Sequence, residues 1–143
     1  MNYGKGSHSI YDLKYHIVFC TKYRYRILTG QVSNRAREII REICSANYVA
    51  IVSGIMSPDH IHLLLSIPPS VSVSKVLQYI KGKSSRKLLM EFEILRKRYW
   101  GQHLWARGYF GVSVGNVNAD DIQKYIEEQE AHHKKDDFKI SEF

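Results

Sequence analysis

The chain has 143 residues, 44% of them hydrophobic, and carries 21 lysines and arginines against 14 aspartates and glutamates. That length fits one domain spanning 1–143 with enough apolar content for a core, and the lack of any run of about 18 apolar residues excludes a membrane-spanning helix. The basic excess and ten tyrosines lean toward a polyanionic partner whose bases stack on aromatic rings, whereas Cys20 and Cys44 are too few for a disulfide framework and suit a reducing cytoplasm.

The first sixteen residues lack the apolar stretch of a signal peptide. Residues 10–20, IYDLKYHIVFC, are rich in β-branched and aromatic side chains and predict a strand. Residues 32–46 place Ala36, Ile39, Ile40 and Ile43 at helical spacing. Residues 48–56 predict a second strand, SPD a turn, and residues 60–67 a third strand paired with the second as a hairpin. A long helix follows over 72–92, with Val73, Val76, Leu77, Ile80 and Leu88 as its apolar stripe and Lys75, Gln78, Gly82 and Arg86 opposite. Residues 108–115 predict a fourth strand. A last helix begins near Asn118, a good N-cap, and Asp120 and Asp121 suit the positive charge of its first turn. The order is β-α-β-β-α-β, which predicts an α+β, ferredoxin-like (RRM-like) fold: an antiparallel sheet backed by two helices, with one further C-terminal helix outside the motif.

The third strand opens with two histidines. Strand side chains alternate, so His60 and His62 share one face, about 7 Å apart. Ile61, Leu63, Leu65 and Ile67 point the other way, toward a core. On the last helix Tyr125 and Gln129 are four residues apart and share a face. Neither pattern is specific alone; His-x-His is more often a half-exposed pair, and Tyr-x-x-x-Gln is common by chance. Together, two imidazoles and one amide oxygen make a mixed nitrogen and oxygen set that suits Mg²⁺ or Mn²⁺ better than a thiolate-seeking ion. All three ligands are neutral, so such a site needs the charge of a substrate phosphate, on which the ion would act as Lewis acid. Tyr125 is then the candidate nucleophile, a weak one at its ordinary pKa near 10 until positioned or deprotonated.

HIH with a downstream YIEEQ resembles the HUH single-tyrosine transposases, and more narrowly the insertion-sequence 200/605 group. KYHIVFCTKYR (14–24), SPDHIHLLLSIPP (57–69), KGKSSR (81–86), GYFGVSVGN (108–116) and DIQKYIEEQ (121–129) carry the resemblance across nearly the whole chain and in the right order. One departure is Thr21, where a proline is expected before Lys22. The resemblance implies that His60, His62 and Gln129 hold the metal and that Tyr125, on the added C-terminal helix, is the nucleophile. It implies an enzyme that cuts single-stranded DNA beside an imperfect hairpin at each end of a mobile element, through a 5′-phosphotyrosine and a free 3′-hydroxyl, and then rejoins it. It further implies a homodimer with merged sheets, in which the tyrosine helix can serve the partner's histidines, working at the nucleoid of a prokaryotic cell.

Lys22, Tyr23 and Arg24, within KYRYR, interleave cations with aromatics as backbone neutralisation and base stacking require. A solvated basic loop reads equally well. Lys81, Lys83 and Arg86 are candidate phosphate contacts around Gly82, whose presence in a helix costs up to about 1 kcal/mol against alanine. Trp100 and Trp105 read as core or interface anchors rather than base platforms, His103 as a loop histidine, His16 as a satisfied core histidine more than as the neighbour of the metal site it could also be, HHKK (132–135) as a solvated helix end rather than a metal-binding run, and Asp59 as a turn residue able to orient His60. Competing readings are a non-catalytic DNA- or RNA-binding regulator of the same fold, a metal-dependent phosphodiesterase that activates water, and a plain RNA-binding domain.

Overall fold

The computed structural model describes residues 4–5, 10–11, 13–114, 124 and 127. In chain order the elements are β1 (Gly4–Lys5), β2 (Ile10–Tyr11), β3 (Lys14–Cys20), α1 (Gly30–Ala46), β4 (Ala50–Ser57), β5 (His60–Ser66), α2 (Val73–Glu91), α3 (Glu93–Tyr99) and β6 (Phe110–Ser113). A short 3-10 turn, Lys22–Arg24, joins β3 to α1. β1 and β2 form a small separate ribbon. The other four strands form one antiparallel sheet in the order β4-β5-β3-β6. This is the expected ferredoxin-like arrangement, with β5 and β3 central.

Period-two alternation decides which face of the sheet is buried. Ile17 and Phe19 of β3 and Ile61, Leu63 and Leu65 of β5 are at most 1% exposed. They pack with Ile39 and Ile40 of α1 and with Leu77, Ile80 and Leu88 of α2. Each such side chain contributes roughly 1.5–3 kcal/mol by leaving water. The expected stripe of α1 is buried throughout; in the stripe of α2, Val73 is only half-buried. Ser72 caps α2, its hydroxyl accepting from the Lys75 amide at 3.1 Å.

Several boundaries differ from the sequence expectation, among them the fourth strand, expected over 108–115 and found at Phe110–Ser113. The first strand is β2 plus the later β3 rather than one run from 10 to 20. The strand expected at 48 begins at Ala50, because Tyr48 is left-handed (φ 58°) and 85% exposed. The long helix is followed by a separate α3 that periodicity did not reveal. The chain turns extended at Phe92 and re-enters helix, and the Arg96 guanidinium donates to the Leu89 and Met90 carbonyls at 2.8 and 2.5 Å. That satisfies end carbonyls of α2 that lack a helical partner. Leu95 and Tyr99, four apart, are the buried side of α3, but seven residues are too few for a period to stand out from a basic loop. Lys124 and Glu127, the described residues of the expected last helix, are helical. Tyr125 and Gln129 lie outside the described residues.

Gly82 lies on the solvent side of α2, and a Cβ added there would meet nothing within 4 Å. Close helix packing is therefore not its reason. Gly82→Ala should raise the unfolding free energy by up to about 1 kcal/mol, measured by urea titration; a loss would show that the fold itself needs the glycine.

Candidate active site

His60, His62 and Leu64 project from β5 on the face opposite the core. Register places Cys20, Val18 and His16 of β3 directly across from them, and Ser57 and Ile55 of β4 across from His60 and His62 on the other side. The two histidines therefore stand side by side in the middle of the sheet, as the alternation predicted. His60 is 4% exposed, and His62 is half-buried.

Asp59 holds His60. It sits in the tight turn between β4 and β5, and its Oδ1 lies 3.0 Å from His60 Nδ1. A carboxylate there accepts the Nδ1 proton, which fixes the ring orientation and tautomer. Asp59 Oδ2 in turn accepts from Arg24 Nε at 3.3 Å. Burial pushes the Asp59 carboxyl up, but the His60 hydrogen bond and the Arg24 charge outweigh it and hold the group below the usual carboxylate range. Arg24, expected as a DNA contact, is thus turned inward onto the site. Its backbone explains the direction: Tyr23 and Arg24 are both left-handed, with φ 62° and 55°. Such residues cost roughly 1–2 kcal/mol each and persist only where neighbours fix them.

Thr21 is one such neighbour. It is fully buried. Its N–H donates to the Asp59 carbonyl at 2.9 Å, and its hydroxyl donates to the Tyr25 carbonyl at 2.7 Å. The expected proline would have no N–H for the first bond, so the threonine adds a tie between the 3-10 turn and the Asp59 turn.

His16 proves to be a neighbour of the site and not a core histidine. Its Nδ1 lies 3.0 Å from His62 Nε2, with ring centroids 5.2 Å apart. One of those nitrogens carries the shared proton. Burial, reinforced by the charges of His16 and His60, drops the His62 pKa to about 4; burial lowers His16 as well. His62 is neutral at neutral pH, as a metal ligand must be. The sequence could not decide between the two places for His16, because its contact depends on the β3–β5 register, which no local pattern reveals.

A basic cleft of about 270 Å³ borders the site, lined by Lys81, Gly82, Ser85, His103, Trp105 and Arg107 among others. It adjoins β3 through the Ala106 amide, which donates to the Cys20 carbonyl at 2.8 Å. Lys81 donates to the Ala106 and Gly108 carbonyls at 2.8 and 2.6 Å, and burial lowers its pKa. It braces the cleft wall, and any phosphate contact by Lys81 is made from that anchored position. Lys83 and Arg86 are exposed, with the Lys83 ammonium 5.2 Å from the Tyr79 ring. Lys22 reaches over the Tyr23 ring at 5.4 Å. Trp105 is a core anchor as expected, 4% exposed and donating to Ser84 Oγ at 2.9 Å, but Trp100 is 87% exposed and anchors nothing in the core.

His60 and His62 offer two neutral imidazoles, while both Asp59 oxygens are turned to His60 and Arg24. Among the described residues no group of three or more His, Cys, Asp or Glu side chains could hold a metal ion.

Comparison with known proteins gives a consistent result. Residues 9–129 match the model of the family described as "Transposase IS200 like". The ISDra2 transposase TnpA of Deinococcus radiodurans is 35% identical over 125 residues, covering 87% of this chain and 89% of that protein. The transposase for insertion sequence element IS200 of Salmonella typhimurium is 41% identical over 123 residues, covering 86% and 80%. A 1.90 Å crystal structure of a Deinococcus radiodurans protein, described as a candidate transposase, superposes with a TM-score of 0.76 at 33% identity, over 88% of this chain and 97% of that one. A REP-associated tyrosine transposase bound to a REP hairpin shares the fold, with a TM-score of 0.58 at 14% identity, over 94% and 75%.

Proposed function

The chain belongs to the IS200-like transposase family, and from that premise we propose that it cuts and rejoins single-stranded DNA at the hairpin-flanked ends of its element by tyrosine transesterification. The observation that carries this is the adjacent pair His60 and His62 on the non-core face of the sheet, with Asp59 and Arg24 fixing the first ring. His60 Nε2, opposite the nitrogen held by Asp59, and His62 are the metal-holding groups, with the Gln129 amide as third ligand. Bound there, Mg²⁺ or Mn²⁺ supplies Lewis-acid stabilisation of the phosphate.

The chain's own residues do the rest. Tyr125 Oη attacks phosphorus; the P–Oη bond forms as the P–O3′ bond breaks. The phenolic proton is lost, and the departing 3′ oxygen takes one up. The ester keeps the bond energy, so attack by a 3′-hydroxyl reverses the step and joins strands without a nucleotide cofactor. Lys22, Tyr23, Lys83 and Arg86 contact the DNA, with Arg24 and Lys81 acting mainly through the protein groups they hold. The protein works as a homodimer, for which the sheet offers two edge strands, β4 and β6, and the tyrosine helix can complete either its own site or its partner's.

The test is a denaturing gel of the full chain with labelled single strands carrying the element's ends. A denaturant-resistant protein–DNA adduct that needs Mg²⁺ or Mn²⁺ and is lost on chelation is the expected result. Hairpin binding with no adduct under either metal would replace this reading with that of a binding regulator.

A further inference from the structure

Two aromatic side chains stand in solvent, and each carries two unfavourable features. Tyr23 is 59% exposed and Trp100 is 87% exposed. Both have left-handed backbones, with φ 62° and 50°. Glycine or asparagine takes such a position at lower cost, above all at the end of a helix, where Trp100 caps α3. An indole that is strained, exposed and unused by the core points to an occupant outside the chain.

Hydrogen bonds tie together the segments that carry the two rings. The Tyr23 hydroxyl donates to Gln102 Oε1 at 2.8 Å, and Gln102 follows Trp100 by two residues. Tyr99, just before Trp100, donates through its hydroxyl to the Lys22 carbonyl at 3.2 Å. Arg24, the next residue after Tyr23, reaches Asp59 behind His60. The Tyr23 segment is thereby joined to the site. The surroundings of both rings are cationic. The Lys22 ammonium lies over the Tyr23 ring, and Trp100 lines an open cleft of about 350 Å³ with Arg96, Lys97, Glu93 and Gly101. Exposed aromatic faces with flanking cations fit a polyanion with flat bases.

We propose that Tyr23 and Trp100 are two separate stacking points for unpaired bases of single-stranded DNA, the first joined to the histidine site through Arg24 and Asp59 and set in position by Gln102. This rests on the transposase reading above and adds where the unpaired strand is gripped. Stacking tolerates any base, so the two rings add affinity for the strand without reading its sequence.

The test uses the full chain, fluorescein-labelled oligothymidylate without a hairpin, and a chelator to prevent cutting. Trp100 and Trp105 are the two tryptophans, and only Trp100 is exposed, so the oligonucleotide should quench the emission of the exposed indole. Trp100→Gly should weaken binding about 5- to 100-fold, with a melting temperature equal to or above that of the parent because glycine relieves the left-handed strain. Trp100→Phe should keep most of the affinity. Adduct formation on hairpin-bearing strands is followed in parallel. Parent-like oligothymidylate binding by Trp100→Gly, with the adduct intact, overturns the stacking proposal and leaves the transposase reading standing. A large drop in melting temperature makes Trp100 a structural anchor and also overturns it. A changed oligomeric state with unchanged DNA binding gives the surface to a second copy instead. A parent chain that neither binds single strands nor forms the adduct removes the transposase reading, and the stacking proposal with it.

Discussion

Tyr125→Phe should abolish the covalent adduct while leaving hairpin binding intact. The substitution removes one oxygen and keeps the ring, so surfaces that bind DNA through phosphates and bases are unaffected. On the proposed mechanism the nucleophile is then gone, and losing a covalent nucleophile lowers turnover by roughly 10⁴-fold or more. The measurement is the denaturing gel beside a hairpin mobility shift. Metal-dependent cutting that survives in Tyr125→Phe would mean that activated water does the work and would place this chain among phosphodiesterases. Loss of both cutting and binding would mean that Tyr125 shapes the DNA surface, and the gel would then say nothing about chemistry.

The second large effect falls on Asp59. Asp59→Asn removes the anion that lies between Arg24 and His60, with side chains 14% and 5% exposed respectively. Breaking a buried pair on one side leaves an uncompensated cation and costs about 3 kcal/mol. The substitution also removes the acceptor that fixes the His60 tautomer, which should weaken metal binding about 10- to 100-fold. Urea titration reads the first effect, and Mn²⁺ binding by electron paramagnetic resonance, with a DNA strand and Tyr125→Phe to block cutting, reads the second. Arg24→Gln separates the two: it should lose stability while retaining more of the metal affinity, because Asp59 still holds His60. Parent-like Mn²⁺ affinity in Asp59→Asn would show that His60 is not oriented through this carboxylate. The acid response has a definite sign. The folded-state pKa of Asp59 lies below its ordinary value, so its contribution is complete above that ordinary value and fades as the pH falls through the folded one. Asp59→Asn should therefore lessen the loss of stability in acid.

The parts of the fold that were legible in sequence are those governed by local periods. Alternation from Ile61 to Ile67 fixed the buried face and put both histidines on the other. Helical spacing in α1 and α2, with a short turn between β4 and β5, was enough for the ferredoxin-like order. Contacts made across register or through unusual backbone were not legible. His16 meets His62 only because β3 pairs with β5 in one particular register. Arg24 looked like its neighbours in KYRYR, and two successive left-handed residues turn it inward. Trp100 and Trp105 are five residues apart in one basic, aromatic stretch, yet one is exposed at the end of α3 and the other is buried against Phe19, with ring centroids 4.8 Å apart. Composition cannot separate those fates; the helix end and the bridge from Thr21 to Trp105 do.

The placement of β5 has a consequence for the timescales on which different parts of the protein open. β5 is paired along both edges, to β3 and to β4, and Ile61, Leu63 and Leu65 root it in the core. Its amides can exchange with solvent only when the sheet comes apart, at a free energy approaching that of global unfolding. The histidine pair is thus carried by a strand that, like β3, is paired on both sides, and it keeps its geometry through smaller fluctuations. Tyr23 and Trp100 sit outside the paired strands, on a short 3-10 turn and a helix end, where opening does not require the sheet to separate. In deuterated solvent the segments around the two rings would take up label well before the strand that bears the histidines. The histidine pair therefore rests on a rigid strand, whereas the two exposed rings lie outside the paired sheet.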